Sequence, residues 1–329
     1  MDDMLYLKSI CEDLSFGSLL EVPDRIKKAL EYKVYKIATE QGTFSIKIFN
    51  KEFINNEQDI KQIKLALTLE EELKKHNIDI FVTNSYNGEK LQKCGDRYFL
   101  VYDFVLGKSI ESHDVLLEQC RIIGALLAKI HNIHYKELEK VTFPYMHIRW
   151  RKYLRLAEHK GSSLSKILSE NIKKLENITE NCNNSLNHLP NIETICHSNL
   201  TCNNVLWTQN GAKINGNEYL KYGNPYIDLL KTALYWAGAS EYNINYNLFN
   251  YLIKEYYKDK VRPKLDWSIV YQVMYKDMLR QLERYIKMAL MIDNNKEENK
   301  EKGEILAEKL IKEIIYYSTI KDEIISRLN

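Results

Sequence analysis

The spacing of apolar positions changes character along the chain. "YKVYKIAT" (32–39) and "TFSIKIFN" (43–50) alternate in part between apolar and polar residues on either side of the turn signal "EQG", which predicts a hairpin. Residues 57–75 take up a helical period, with Ile60, Ile63, Leu67 and Leu73 near one face. "IDIFVTN" (78–84) and "YFLVYDFVLG" (98–107) again read as strands, and the second is apolar almost throughout, as a buried strand should be. Gly107 closes that run and marks a boundary between a region of 1–106 and one of 107–329. Beyond it Leu116, Cys120, Ile123, Leu127 and Ile130 step by four and three, a helical stripe that His131 closes. "HIRWRKYLRLAEH" (147–159) predicts a basic amphipathic helix, and "NVLW" (204–207) a short strand. From Asp228 onward the pattern is mainly helical; "NNKEENKEKGE" (294–304) reads as a polar connector before a last amphipathic helix, "ILAEKLIKEIIYY". Strands with one helix, followed by helices with a β insert around 195–216, predict an α+β chain whose elements are segregated.

Composition narrows the function classes. Across 329 residues the hydrophobic share is 45% and the net charge +2, an ordinary globular balance with no strong field to attract nucleic acid. The basic helix at 147–159 therefore reads as a solvated face over a core stripe. No run approaches the ~18 apolar residues of a membrane span, and the acidic start "MDDMLYLKSI" is unlike a signal peptide. The six cysteines are scattered without a CxxC pair, which suggests reduced thiols in a cytoplasm. Cys196, His197 and Cys202 lack a fourth ligand at zinc spacing.

Four landmarks carry candidate chemistry, in this order: Lys47 within "FSIKIF", "LLAKIH" ending at His131, "HSNLTCNN" (197–204), and "YGNPYIDLLKTALYW" (222–236). In order and context they resemble the aminoglycoside phosphotransferase and choline kinase superfamily over residues 15–240. The resemblance implies a two-lobed protein-kinase-like fold, with a small antiparallel β lobe and a larger, mainly helical lobe. It also implies transfer of a phosphoryl group from ATP with Mg²⁺ to a small-molecule hydroxyl. Such transfer is mostly positioning and charge stabilisation, hence the need for a phosphate-holding lysine, metal-binding carboxylates and an oriented acceptor. By the resemblance Lys47 is the phosphate-site lysine, His197 the loop histidine and Asn204 the metal-binding asparagine. Asp228 is the structural aspartate of the segment written GDPxxDL. The apolar stretch at 102–105, with Tyr102, is where an adenine ring would lie.

The chain departs from that pattern where the chemistry is densest. Asn199 stands at the catalytic aspartate, and an amide is a very poor proton acceptor. The metal-binding aspartate aligns with Gly216, or with Asn215 after a one-residue shift, and Glu218 is the nearby acid able to substitute. Where the family has a glycine-rich turn over the phosphates, "DRIKKALEYK" (24–33) has no glycine. The helix glutamate that would orient Lys47 aligns with Leu67, with Glu70 and Glu71 one turn on. The expectation is a degenerate member, a pseudokinase that binds a small molecule, a nucleotide or a protein partner, with ATP and Mg²⁺ binding weak or absent. The alternative is a working ATP-dependent phosphotransferase that relies on Glu218 and Asn204. Trp236 and Glu241, in an aromatic stretch, are candidates for an aminoglycoside or choline-like substrate, although core packing of amphipathic helices explains most of such a stripe.

Overall fold

A five-stranded antiparallel sheet organises the first part of the chain. In the computed structural model, which describes residues 3–29, 31–51, 53–54, 56–133, 144–292 and 299–329, the elements begin with α1 (Asp3–Asp13), β1 (Asp24–Lys28), β2 (Tyr32–Thr39) and β3 (Gly42–Phe49). They continue with α2 (Glu57–Lys75), β4 (Gln92–Cys94), β5 (Arg97–Asp103), α3 (Leu117–His131), α4 (Trp150–His159) and α5 (Leu164–Ser185). Then come β6 (Thr194–Cys196), β7 (Val205–Thr208), β8 (Gly211–Ile214) and β9 (Lys221–Gly223). The chain closes with α6 (Pro225–Trp236), α7 (Tyr246–Tyr256), α8 (Trp267–Ala289) and α9 (Lys300–Leu328).

Contacts divide these elements into two compact units. One contains Met1–Glu111, Lys129–His134 and Ile195–Lys221; the other contains Ser112–Ala128, Tyr135–Thr194 and Tyr222–Asn329. The units therefore do not follow chain order as a division at 106/107 does: the β insert belongs with the N-terminal sheet.

In the first unit the strand order is β1-β2-β3-β5-β4. Alternation splits its side chains between two cores. Tyr35, Ile37, Ile46, Ile48, Phe99 and Val101 pack with Tyr6, Leu7 and Ile10 of α1. Tyr32, Val34, Phe49, Leu100 and Tyr102 pack with Ile63 and Leu67 of α2. Lys47, between Ile46 and Ile48, lies opposite Val34 on one side and Leu100 on the other, so it projects toward the α2 face. The helical period at 57–75 is realised residue for residue in α2, where the Asn56 side chain accepts from the Asp59 N–H and caps the first turn. Lys74 and Lys75 in its last turn suit the negative end of the dipole.

Several expectations are corrected. "IDIFVTN" is not a strand: it makes one parallel bridge, Ile80 to Ile214, and its N–H groups turn to different partners, Phe81 to Ile214 O and Asn84 to Val101 O. α1 and the short edge strand β4 were not signalled by period, since each is brief and takes its shape from packing on the sheet. The basic helix begins only at Trp150, and its exposed face is solvated, with Arg151 paired to Glu176 at 2.8 Å while Trp150, Tyr153 and Ala157 are buried. Of the polar connector at 294–304, residues 300–304 already belong to α9; 294–298 lie outside the described residues.

Within the second unit α9 meets α8 at Gly303, where an added Cβ would lie 2.5 Å from Ala289 N. Gly303→Ala, in the first turn of α9, is a change that helix propensity would favour by at most roughly 0.8–1.0 kcal/mol. Here it should instead destabilise by about 1–3 kcal/mol through overpacking against backbone. Urea denaturation checks the sign.

Candidate functional site

Lys47 is almost wholly enclosed at 2% exposure, and among the described residues its ammonium has a single carboxylate partner, Glu218 Oε2 at 2.8 Å. Glu218 sits in a short helical turn, Asn217–Tyr219, just after β8. Two tyrosine rings complete the lysine's surroundings, Tyr32 at 4.6 Å and Tyr102 at 5.7 Å from Nζ to the ring centroid. Glu218 Oε1 is buried and has no hydrogen-bond partner among the described residues. Burial and the Glu218 charge together push the Tyr32 hydroxyl well above its ordinary value. Tyr102 is itself buried, packed edge-on against Phe81 at 6.2 Å, so its ring faces the lysine rather than open space.

No helix glutamate reaches Lys47. Glu70 of α2 is fully buried and saturated by four donors: the Thr83 N–H at 2.9 Å, Thr83 Oγ1 at 2.8 Å, Lys90 Nζ at 2.6 Å and Asn217 Nδ2 at 2.7 Å. Glu71 pairs with the same Lys90, whose ammonium holds the Glu71 carboxyl below its usual range. Leu67 is core. The residue pairing with Lys47 therefore comes from the loop after β8, and Asn217 ties that loop back to α2.

The loop at 197–204 is held by its own polar groups. His197 is fully buried and its Nε2 lies 3.0 Å from Asn215 O; a carbonyl only accepts, so Nε2 carries the proton. Asn204 Nδ2 donates to Asn199 O at 2.9 Å, which turns Oδ1 the other way. That oxygen accepts from Lys27 Nζ at 3.2 Å, and the same ammonium donates to Asn203 O at 2.9 Å. Gly216 backs this amide. Its φ is +82°, and a Cβ there would lie 2.9 Å from Asn204 Cγ. Asn215 instead folds its Oδ1 onto the Gly216 N–H at 2.7 Å, so Gly216 is the position that faces Asn204.

Lys27 is the site residue that sequence reasoning missed. β1 pairs with β2 through Arg25↔Tyr35 and Lys27↔Val34, with a register shift between Arg25 and Lys27. That bulge leaves Ile26 exposed and re-aims the following side chain. Burial, then the nearby Lys47 charge, push the Lys27 ammonium down from 10.5 to about 8. The unfolded chain binds more protons at this group between those values, so its contribution to stability rises with pH across that window. Competitive acylation across a pH series should give a labelling midpoint near 8 for Lys27; a midpoint above 10 would contradict the enclosure described.

Trp236 and Glu241 are assigned to a different unit from Lys47 and Asn204. Both lie in the second unit, where Trp236 is fully buried at the end of α6 and Glu241 is exposed in a separate turn. Asp228 is buried in the first turn of α6, whose N-terminus is capped by Asn224, accepting from the Tyr226 and Ile227 N–H groups.

A small antiparallel sheet with α2 on one face, a strand lysine, and a glutamate and asparagines brought up by a following β hairpin define an α+β fold of the kinase-like phosphotransferase class. Comparison with known proteins agrees. Residues 25–258 match the phosphotransferase enzyme family, and the chain belongs to that family. Among solved structures, a spectinomycin phosphotransferase in complex with ADP and spectinomycin shares 13% identity, with a TM-score of 0.68 over 94% of this chain and 98% of that one. An amicoumacin kinase in complex with AMP-PNP and Ca²⁺ shares 16% identity, with a TM-score of 0.61 over 95% and 93%. A choline kinase from Cryptosporidium parvum Iowa II shares 15%, with a TM-score of 0.54 over 98% and 96%. At these identities the likeness is one of fold. No curated protein matches the sequence.

Proposed function

We propose that this member of the phosphotransferase family is catalytically impaired, a pseudokinase that acts by binding. The observation that carries this reading is the state of Asn204: its amide oxygen is taken by the Lys27 ammonium and its far side is closed by Gly216. The residues present do not fit the Mg²⁺ that accompanies ATP in the family. Mg²⁺ favours anionic oxygens in near-octahedral array. Here Gly216 offers none, Asn199 is an amide, and Glu218 is tied to Lys47. Without a carboxylate at 199 there is also no general base, a contribution worth roughly 10²–10⁴ in rate. We therefore expect phosphoryl transfer from radiolabelled ATP to spectinomycin, choline or similar hydroxyl acceptors to stay at background. Robust turnover that Lys47→Met abolishes would overturn the proposal.

A second reading, a working phosphotransferase, has one observation in its favour. Glu218 Oε1 is buried and unpartnered, a carboxylate oxygen able to take a cation. In that case ATP binding would require Mg²⁺, and Glu218→Gln would abolish both binding and turnover.

We place the protein in the cytoplasm, with a small molecule, a nucleotide or a protein as its partner, and without a nucleic-acid or membrane partner. None of the six cysteines is in a disulfide and all are buried, and burial pushes the thiols of Cys94 to about 11 and of Cys120 and Cys182 to about 12, which suits a reducing compartment. No helix among the described residues is long and apolar enough to cross a membrane.

A further inference from the structure

Lys27 stands where a cation would stand. Its ammonium lies 2.9 Å from a backbone carbonyl, Asn203 O, and 3.2 Å from a side-chain carbonyl, Asn204 Oδ1. Hard carbonyl oxygens of this kind are what a bound metal ion would otherwise collect. The orientation of the Asn204 amide is fixed independently, because its other end donates to Asn199 O. An ammonium has three donors, and these two oxygens take two of them. The third remains, on a side chain that is only partly buried. The arrangement is built rather than incidental: a bulge in β1 and a contact across 177 positions of sequence bring Lys27 to this point.

The charges around it favour one kind of ligand. Lys47 lies near enough to Lys27 to repel it, while the acids that offset this are Glu218, already paired with Lys47, and Glu31. A divalent cation at Asn204 would have to displace one ammonium and then face another. An oxyanion would instead take the third N–H of an ammonium that two carbonyls already hold, beside the Tyr32 ring at 5.6 Å. The turn following β1 has no glycine, so the close backbone approach of a glycine-rich phosphate cradle is not available there; a side-chain ammonium supplies the donor instead.

Resting on the reading of the chain as a non-catalytic family member, we propose that the Lys27 ammonium is a built-in cation in place of a divalent metal. The site is then a metal-independent receptor for a phosphate-type oxyanion, carried either by a nucleotide or by another phosphorylated small molecule.

The test is calorimetric titration of the full chain with ATP and with inorganic tripolyphosphate, each in excess EDTA and in excess Mg²⁺. At least one probe should bind in EDTA, and Mg²⁺ should not tighten it. ATP well ahead of tripolyphosphate assigns the oxyanion to a nucleotide; equal affinities assign it to phosphate alone. Lys27→Met should lose about tenfold or more of the metal-free affinity, the scale of a charge-assisted bond to phosphate, while Lys27→Arg keeps most of it. The inference is overturned if neither probe binds in EDTA, if binding requires Mg²⁺, or if folded Lys27→Met binds as tightly as the parent. The EDTA and Mg²⁺ comparison on the unaltered chain stands even where a variant does not fold. Mg²⁺-dependent binding without turnover would defeat this inference alone, whereas Mg²⁺-dependent turnover would defeat the proposed function.

Discussion

Glu218→Gln should cost the fold about 3–5 kcal/mol, the usual penalty for removing one partner of a buried ion pair. The geometry places it at the severe end of substitutions. Lys47 and Glu218 have side-chain exposures of 2% and 0%, so neither charge can recover its loss from water. Lys47 would keep its ammonium enclosed between the Tyr32 and Tyr102 rings with no anion beside it. Removing both charges at once, as in Lys47→Met with Glu218→Leu, should return much of that loss, because desolvation offsets most of what a buried pair gains from attraction. A double-mutant cycle in urea, with the pair coupled by less than about 0.5 kcal/mol, would show that the two charges act independently. The same variant separates the two functional readings by sign. If Glu218 is the counter-ion of a phosphate-site lysine, Glu218→Gln frees positive charge and should tighten polyphosphate in EDTA. If Glu218 is a metal ligand, the variant should lose ATP binding in Mg²⁺.

How much of this was legible depends on the range of the interaction involved. Period alone placed β2, β3, α2 and the stripe of α3 from Cys120 to Ile130, because those signals are local and each element buries one face; Leu116, read into that stripe, precedes the helix and is exposed. The boundary read at 106/107 parted Lys47 from the loop "HSNLTCNN", whereas contacts gather both into one unit, with His197 and Asn204 bonded to Asn215 O and Asn199 O. The partner of Lys47 was not legible. The resemblance pointed to Leu67, with Glu70 or Glu71 one turn on, but Leu67 is core, Glu70 is saturated by Thr83, Lys90 and Asn217, and the pairing that forms spans 171 residues. Lys27 was hidden for a different reason. Strict alternation along "DRIKK" gives no reason for Lys27 to face the loop at 203–204; the bulge after Arg25 does, and a bulge has no signature in this stretch. The aromatic run containing Trp236 reads alike as a ligand box or as core until burial is known, and Trp236 is fully buried.

Introducing carboxylates at positions 199 and 216 should not raise phosphoryl transfer. Asn199→Asp alone provides a base, but no acid for a metal. Gly216→Asp provides the acid in a place that resists it. The backbone there is left-handed at φ +82°, which disfavours a side chain by roughly 1–2 kcal/mol. A new Cβ would press on Asn204 at 2.9 Å, and moving that amide breaks its bonds to Asn199 O and Lys27. Adding the loss of those bonds, at about 1–3 kcal/mol for a buried group left unsatisfied, Gly216→Asp should destabilise by about 2–5 kcal/mol. The combined variant Asn199→Asp with Gly216→Asp should still leave phosphoryl transfer at background, because the Lys27 ammonium continues to compete for the oxygens a metal needs. Groups that act as a unit gain nothing until all are present. A rise of about a hundredfold or more in radiolabelled phosphate transfer by the double variant, the lower end of what a general base supplies, would show that the two carboxylates were all the chain lacked. If it appears only when Lys27→Gly is added, Lys27 is the obstacle, and the ammonium at Asn204 is what separates this chain from a metal-dependent enzyme.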